Sequence, residues 1–213
     1  MVSFTGFNPD DVVQSIKKMN STYIELCNLY NKSFKLFLDE ISRLWACQEA
    51  QSYFNLEFKN VADNLKETIE LQFSKIINLM NSSAQKWAEA SHENFTQVLF
   101  PGQLMKEIDT TVIKSKIDGN IGLSIDLAIQ SVKKFQTNIN TQFNSVLNKC
   151  ILISSGFLGG NQQEAINNKV SIIQKEITRN ISNVIQDLNN KIEKTANEYN
   201  DNSLIIEKSI NDQ

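Results

Sequence analysis

The residues best suited to chemistry lie in AQKWAEASHENF (84–95), which holds the chain's only histidine, His92, between Glu89 and Glu93. An imidazole oriented by a carboxylate is a common general acid–base pair. The spacing argues against that use. Met80, Ala84, Trp87, Ser91 and Phe95 recur in steps of three or four, and His92 falls off this stripe, so it reads as surface. Cys27, Cys47 and Cys150 are odd in number, far apart and without a nearby histidine. They offer neither a disulfide framework nor an activated nucleophile, and with one histidine they make no zinc site. GFLGG (156–160) precedes a helix pattern, but no Gly-Lys-Ser/Thr follows and no strand precedes it, so it lacks the context of a phosphate-binding loop. The reading is of a non-enzymatic protein with no cofactor and no metal.

Bulk properties narrow the partners. The chain has 213 residues, 41% hydrophobic and 21% charged, with a net charge of −3. That balance excludes the strongly basic surface a nucleic acid needs. No apolar run approaches the ~18 residues of a transmembrane span. MVSFTGFNPDD lacks the basic and apolar regions of a signal peptide, and the free cysteines fit a reducing, cytoplasmic setting.

The elements that position these residues are helices. Pro9 and Pro101 are the only prolines, and no glycine or proline occurs from 10 to 100. One unbroken helix over that stretch would be about 135 Å long at 1.5 Å per residue, so a turn is expected within it. KNVADN (59–64) is the expected break, because Asn64 and Glu67 have capping-box spacing. Apolar stripes run before it through Phe34, Phe37 and Trp45, and after it through Phe73, Ile76, Met80 and Trp87 to a stop at FPGQ (100–103). Two further stripes run from Ile125 to Cys150 and from Ile166 through Ile173, Ile177 and Ile181 to Ile192. Period-two alternation is absent, so no strand is expected. The fold class is all-α: long antiparallel amphipathic helices forming a helical bundle or extended coiled coil. The organisation is a lead at 1–9, a helical hairpin at 10–100, and a second helical segment at 101–213 with a loop at 154–161. Phe34, Phe37, Trp45, Ile173, Ile177 and Ile181 are the expected helix-packing residues.

Three stretches resemble the phasins, helical coat proteins of bacterial polyhydroxyalkanoate granules. In IELCNLYNKSFKLFLDEI (24–41) the matching residues are Leu29, Asn31, Lys32, Ser33 and Phe34. NLKETIELQFSKI (64–76) supplies Glu67, Leu71, Gln72 and Phe73, and LAIQSVKKFQ (127–136) supplies Ala128, Ser131, Val132 and Lys134. The resemblance implies a cytoplasmic structural protein bound to a polyhydroxyalkanoate granule surface and self-associating through its helices. The aromatic-rich face Phe73, Ile76, Met80, Trp87 and Phe95, just after the second stretch, is the expected hydrophobic-surface-binding face. The chain lacks the alanine-rich composition of that family.

A rival resemblance is to a tandem of WXG100-type helical hairpins, the small substrates of type VII secretion. LWACQEAQSYF (44–54) is similar to their Trp-x-Gly turn with Cys47 in the glycine's place, and FLGG (157–160) keeps Gly159 with Phe157 in the tryptophan's place. Tyr199 is followed four residues later by Ser203 rather than by the acidic residue of the usual export signal. A coiled-coil adaptor with a protein partner is the third reading.

Overall fold

The chain is all-α, 80% helical with four long helices. The computed structural model describes residues 6–151, 157–158 and 161–211. Strand β1 (Gly6–Phe7) leads into α1 (Pro9–Ile41). Strand β2 (Trp45–Ala46) precedes α2 (Gln48–Tyr53), a π-helical turn at Phe54–Phe58, and α3 (Lys59–Ser91). A 3-10 turn at Thr110–Val112 and strand β3 (Gly122–Leu123) lead to α4 (Ile125–Ile151), strand β4 (Phe157–Leu158) and α5 (Asn161–Asn211). The side chain of Asn8 starts α1 by accepting the N–H groups of Asp10 and Asp11 at 3.1 and 3.2 Å. Pro9 sits where no donor is needed, and the two aspartates complement the helix dipole.

Two boundaries differ from the sequence reading. The first break stands at Ser42–Cys47, not at 59–64. Ala62, Leu65 and Ile69 continue the buried stripe begun by Phe54 and Phe58, and that packing outweighs the local cap pattern at Asn64 and Glu67. The real turn uses neither glycine nor proline. The N–H of Leu44 bonds the carbonyl of Ile41, and extended Cys47 caps α2 by accepting the N–H of Ala50 on Sγ at 3.2 Å. The second difference is the end of α3, at Ser91 rather than at FPGQ. Glu93 N–H reaches back to Ala88 O at 2.9 Å and His92 N–H to Glu89 O at 3.4 Å, while His92 takes the left-handed conformation at φ 57°. This is the paired-bond stop that a left-handed residue permits. AQKWAEASHENF is therefore helical only through Ser91, and Phe95 lies beyond the helix.

Four two-residue strands also appear where none was expected. The expected loop at 154–161 lies outside the described residues except for Phe157–Leu158 and Asn161.

The chain forms two compact units, each drawing a stretch from every long helix. One unit comprises Met1–Lys32, Asn64–Lys106 and Ile139–Asn180. Within it Phe7 stacks on Trp87 and Tyr23 packs on Phe73, so α1 and α3 run antiparallel. Gln72–Glu176 and Thr68–Asn180 tie α3 to an antiparallel α5, and Asn144–Thr178 with Asn148–Gln174 do the same for α4 and α5. The other unit comprises Ser33–Asp63, Glu107–Asn138 and Ile181–Gln213. Its core is an aromatic cluster in which Phe37 stacks on Phe135 at 4.4 Å and Phe34 meets Phe135 edge-on at 5.2 Å.

Candidate functional site

The turn at Trp45 is the most heavily built feature of its unit. Trp45 is fully buried, stacked on Tyr53 at 6.1 Å and edge-on to Phe54 at 5.7 Å. The π-helical turn just after Tyr53 holds Phe54 and Phe58, whose rings meet at 5.1 Å. The Tyr53 hydroxyl donates to Asp187 Oδ2 at 2.7 Å, and burial pushes its ionisation far above the ordinary tyrosine range. Lys191 pairs with Glu49 at 2.8 Å and lies over the Tyr53 ring. Its hydrogen bond to Glu49 raises its pKa. Thus α2 and α5 are fastened together beside the turn. Strand β2 then pairs antiparallel with β3, Trp45 opposite Leu123 and Ala46 opposite Gly122, and Ser124 N–H extends the pairing to Leu44 O at 2.7 Å.

The other unit repeats this plan. Strand β1 pairs antiparallel with β4, Gly6 opposite Leu158 and Phe7 opposite Phe157. In both units, the turn strand of one hairpin meets the strand that leads into the other hairpin. The sequence carries the same relation, which the periodicity reading missed: GFNPDDVVQSIKK (6–18) aligns with GLSIDLAIQSVKK (122–134). Asn8 and Ser124 occupy the same place, each carbonyl accepting the first helical N–H, from Val12 and Ala128. Ser15 and Ser131 are both buried, as are Ile16 and Val132. Counted from Trp45 and Phe157, Leu65, Ile69, Phe73, Ile76 and Met80 match Ile177, Ile181, Ile185, Leu188 and Ile192, all of them buried.

The expected helix-packing residues Phe34, Phe37, Trp45, Ile173, Ile177 and Ile181 are all buried. The expected surface-binding face divides. Phe73, Ile76 and Met80 are buried, Trp87 is half-buried against Phe7, and Phe95 is half-buried beyond the helix end. In the folded chain these five residues do not form one open face.

An extended segment after α3 is held along its unit by side chains that read its backbone. Asn81 accepts the Val98 N–H at 3.1 Å and donates to the Val98 carbonyl at 2.9 Å. Asn31 accepts from Lys106 N–H and donates to Leu104 O, and the Tyr23 hydroxyl donates to Gly102 O at 2.9 Å. Beneath it the buried Glu70 carboxyl has a raised pKa, chiefly from desolvation and partly opposed by Lys66. The frequent asparagines were the available signal, but the sequence does not distinguish Asn31 and Asn81 from the others without the strap they hold.

The cysteines are buried and the histidine stands at a helix end. Burial pushes the Cys27 thiol up to about 11 and the Cys150 thiol up to about 12, away from the reactive thiolate. His92 is exposed at the end of α3. Among the described residues no group of three or more His, Cys, Asp or Glu side chains could hold a metal ion, and no helix is long and apolar enough to cross a membrane. Compared with protein-family models, curated proteins and solved structures, the chain shows no significant match.

Proposed function

We propose that the protein is a non-catalytic tandem of WXG100-like helical hairpins, an already paired export cargo of the type VII kind that acts through its surface. The observation that carries this reading is the reciprocal pairing of each turn strand with the strand leading into the other hairpin. Paired hairpins bury the apolar stripes that one hairpin alone would leave open. Cys47 stands where the resembled turn has glycine, and its extended backbone at φ −161° asks for no glycine there. The buried cysteines and the helix-ending His92 support a non-catalytic role. The polyhydroxyalkanoate-coat reading is less favoured, because Phe73, Ile76 and Met80 would have to leave the core to reach a polymer.

The test is export. A tagged copy should reach the medium of a host with a type VII apparatus and stay inside when the motor ATPase of that apparatus is deleted. Retention in both hosts, with co-sedimentation on polymer granules, would overturn the proposal in favour of the coat reading.

A further inference from the structure

Residues 98–106 lie along α1 and α3 of one compact unit as a bound peptide lies on its receptor. Asn81 reads both polar groups of Val98, and Asn31 reads the Leu104 carbonyl and the N–H two residues on, at Lys106. Asn20 makes only half of such a pair. Its Nδ2 donates to the Leu99 carbonyl at 2.9 Å, while its buried Oδ1 has no partner among the described residues. On the pattern of Asn31 the missing donor is the N–H two residues after Leu99, and that residue is Pro101, which has none. Glu70, only 7% exposed, faces the Met105 N–H, yet its Oε1 is also buried without a partner among the described residues. Two anchors complete the fit: the Phe100 ring packs on Tyr23 at 4.7 Å, and Met105 is buried. Gly102 between them takes φ 85°. The groove therefore holds acceptors that its own strap does not fill.

We propose that this α1–α3 groove is a binding site for an extended segment of a partner protein, occupied by the strap when that segment is absent. The fitting segment carries an aromatic residue, a glycine two residues on and an apolar residue five on, as Phe100, Gly102 and Met105 do. The residue after the aromatic one is not proline, so its N–H reaches Asn20 and makes a bond the strap cannot make. Main-chain hydrogen bonds supply the affinity, and the two anchors supply the specificity.

Fluorescence anisotropy with labelled peptides of residues 96–107 tests this, one peptide with the native sequence and one with Pro101→Ala. The receptor is the full chain carrying Phe100→Ala and Met105→Ala, which strips the strap of its anchors. It should bind the Pro101→Ala peptide at least tenfold more tightly than the parent chain does. Adding Asn20→Ala to the receptor cancels any effect of peptide stiffness. Relative to that reference, Asn20 should favour the Pro101→Ala peptide over the native one by about 2- to 10-fold, the worth of one hydrogen bond. In the parent chain, excess Pro101→Ala peptide should speed hydrogen exchange at the Val98 and Lys106 N–H groups as the strap leaves. If the stripped receptor loses its helical signal, this exchange decides alone. A folded receptor that binds neither peptide, no preference due to Asn20, or strap exchange unchanged by the peptide would each overturn the proposal. So would a stripped receptor that dimerises instead of binding peptide, which would make a second copy the occupant.

Discussion

Replacing Trp45 separates the contribution of its ring from that of its indole N–H. The side chain is fully buried against Tyr53 and Phe54, and its Nε1 has no hydrogen-bond partner among the described residues. Truncation to alanine should cost about 3–5 kcal/mol, the range for large aromatic-to-alanine changes in packed interiors. In a chain of this size each kcal/mol moves the melting temperature by about 2–4 °C, so Trp45→Ala should melt roughly 6–20 °C lower. Trp45→Phe is a different perturbation. It keeps a ring against Tyr53 and Phe54 and gives up the volume of a few atoms, a loss of about 1–2 kcal/mol. It also removes an unsatisfied buried donor, which returns about 1–3 kcal/mol. The two effects nearly cancel, so this variant should lie within about 1 kcal/mol of the parent. Urea titration followed by far-ultraviolet circular dichroism measures both, with Trp87 emission as a local probe. A phenylalanine variant as damaged as the alanine one, or an alanine variant as stable as the parent, would refute the reasoning.

Other perturbations address the strap, the buried carboxyl and the helix stop. The pKa of Glu70 is raised on folding, so the folded state holds its proton more tightly and stability falls as pH rises through and above the ordinary glutamate range. Glu70→Gln should flatten that fall, read as urea midpoints at roughly pH 4 and pH 7. Asn81→Ala removes both bonds to Val98 and should cost about 1–3 kcal/mol while speeding proteolysis near Val98. His92→Gly relieves a left-handed non-glycine residue and should raise stability by about 0.5–1 kcal/mol, whereas His92→Val should lower it, both read by thermal melts.

The helices were legible because their stripes are long. Ile173, Ile177 and Ile181 keep one face through whole turns, so their shared helix face follows from spacing, and the structure buries all three. The turn at Ser42–Cys47 was not, because its bend is stabilised by the pairing of Trp45 and Ala46 with Leu123 and Gly122, distant residues that no local signal names. The stripe through Phe73, Ile76 and Met80 was readable as apolar, but spacing cannot say whether such a face meets a partner or its own chain. The repeat at 6–18 and 122–134 was present in the letters all along. It escapes a reading by periodicity, which compares neighbours a few residues apart.

Each compact unit is assembled from both hairpins. A protease site inserted between Asp118 and Gly119, where the turn is open and both residues have positive φ, lets the chain be cut between the hairpins after it has folded. Size-exclusion chromatography with light scattering on the cut protein, without denaturant, measures whether the fragments stay together. A single species with the mass of the uncut chain and its full helical signal is expected. Fragments that separate and each retain a folded helical hairpin would contradict it.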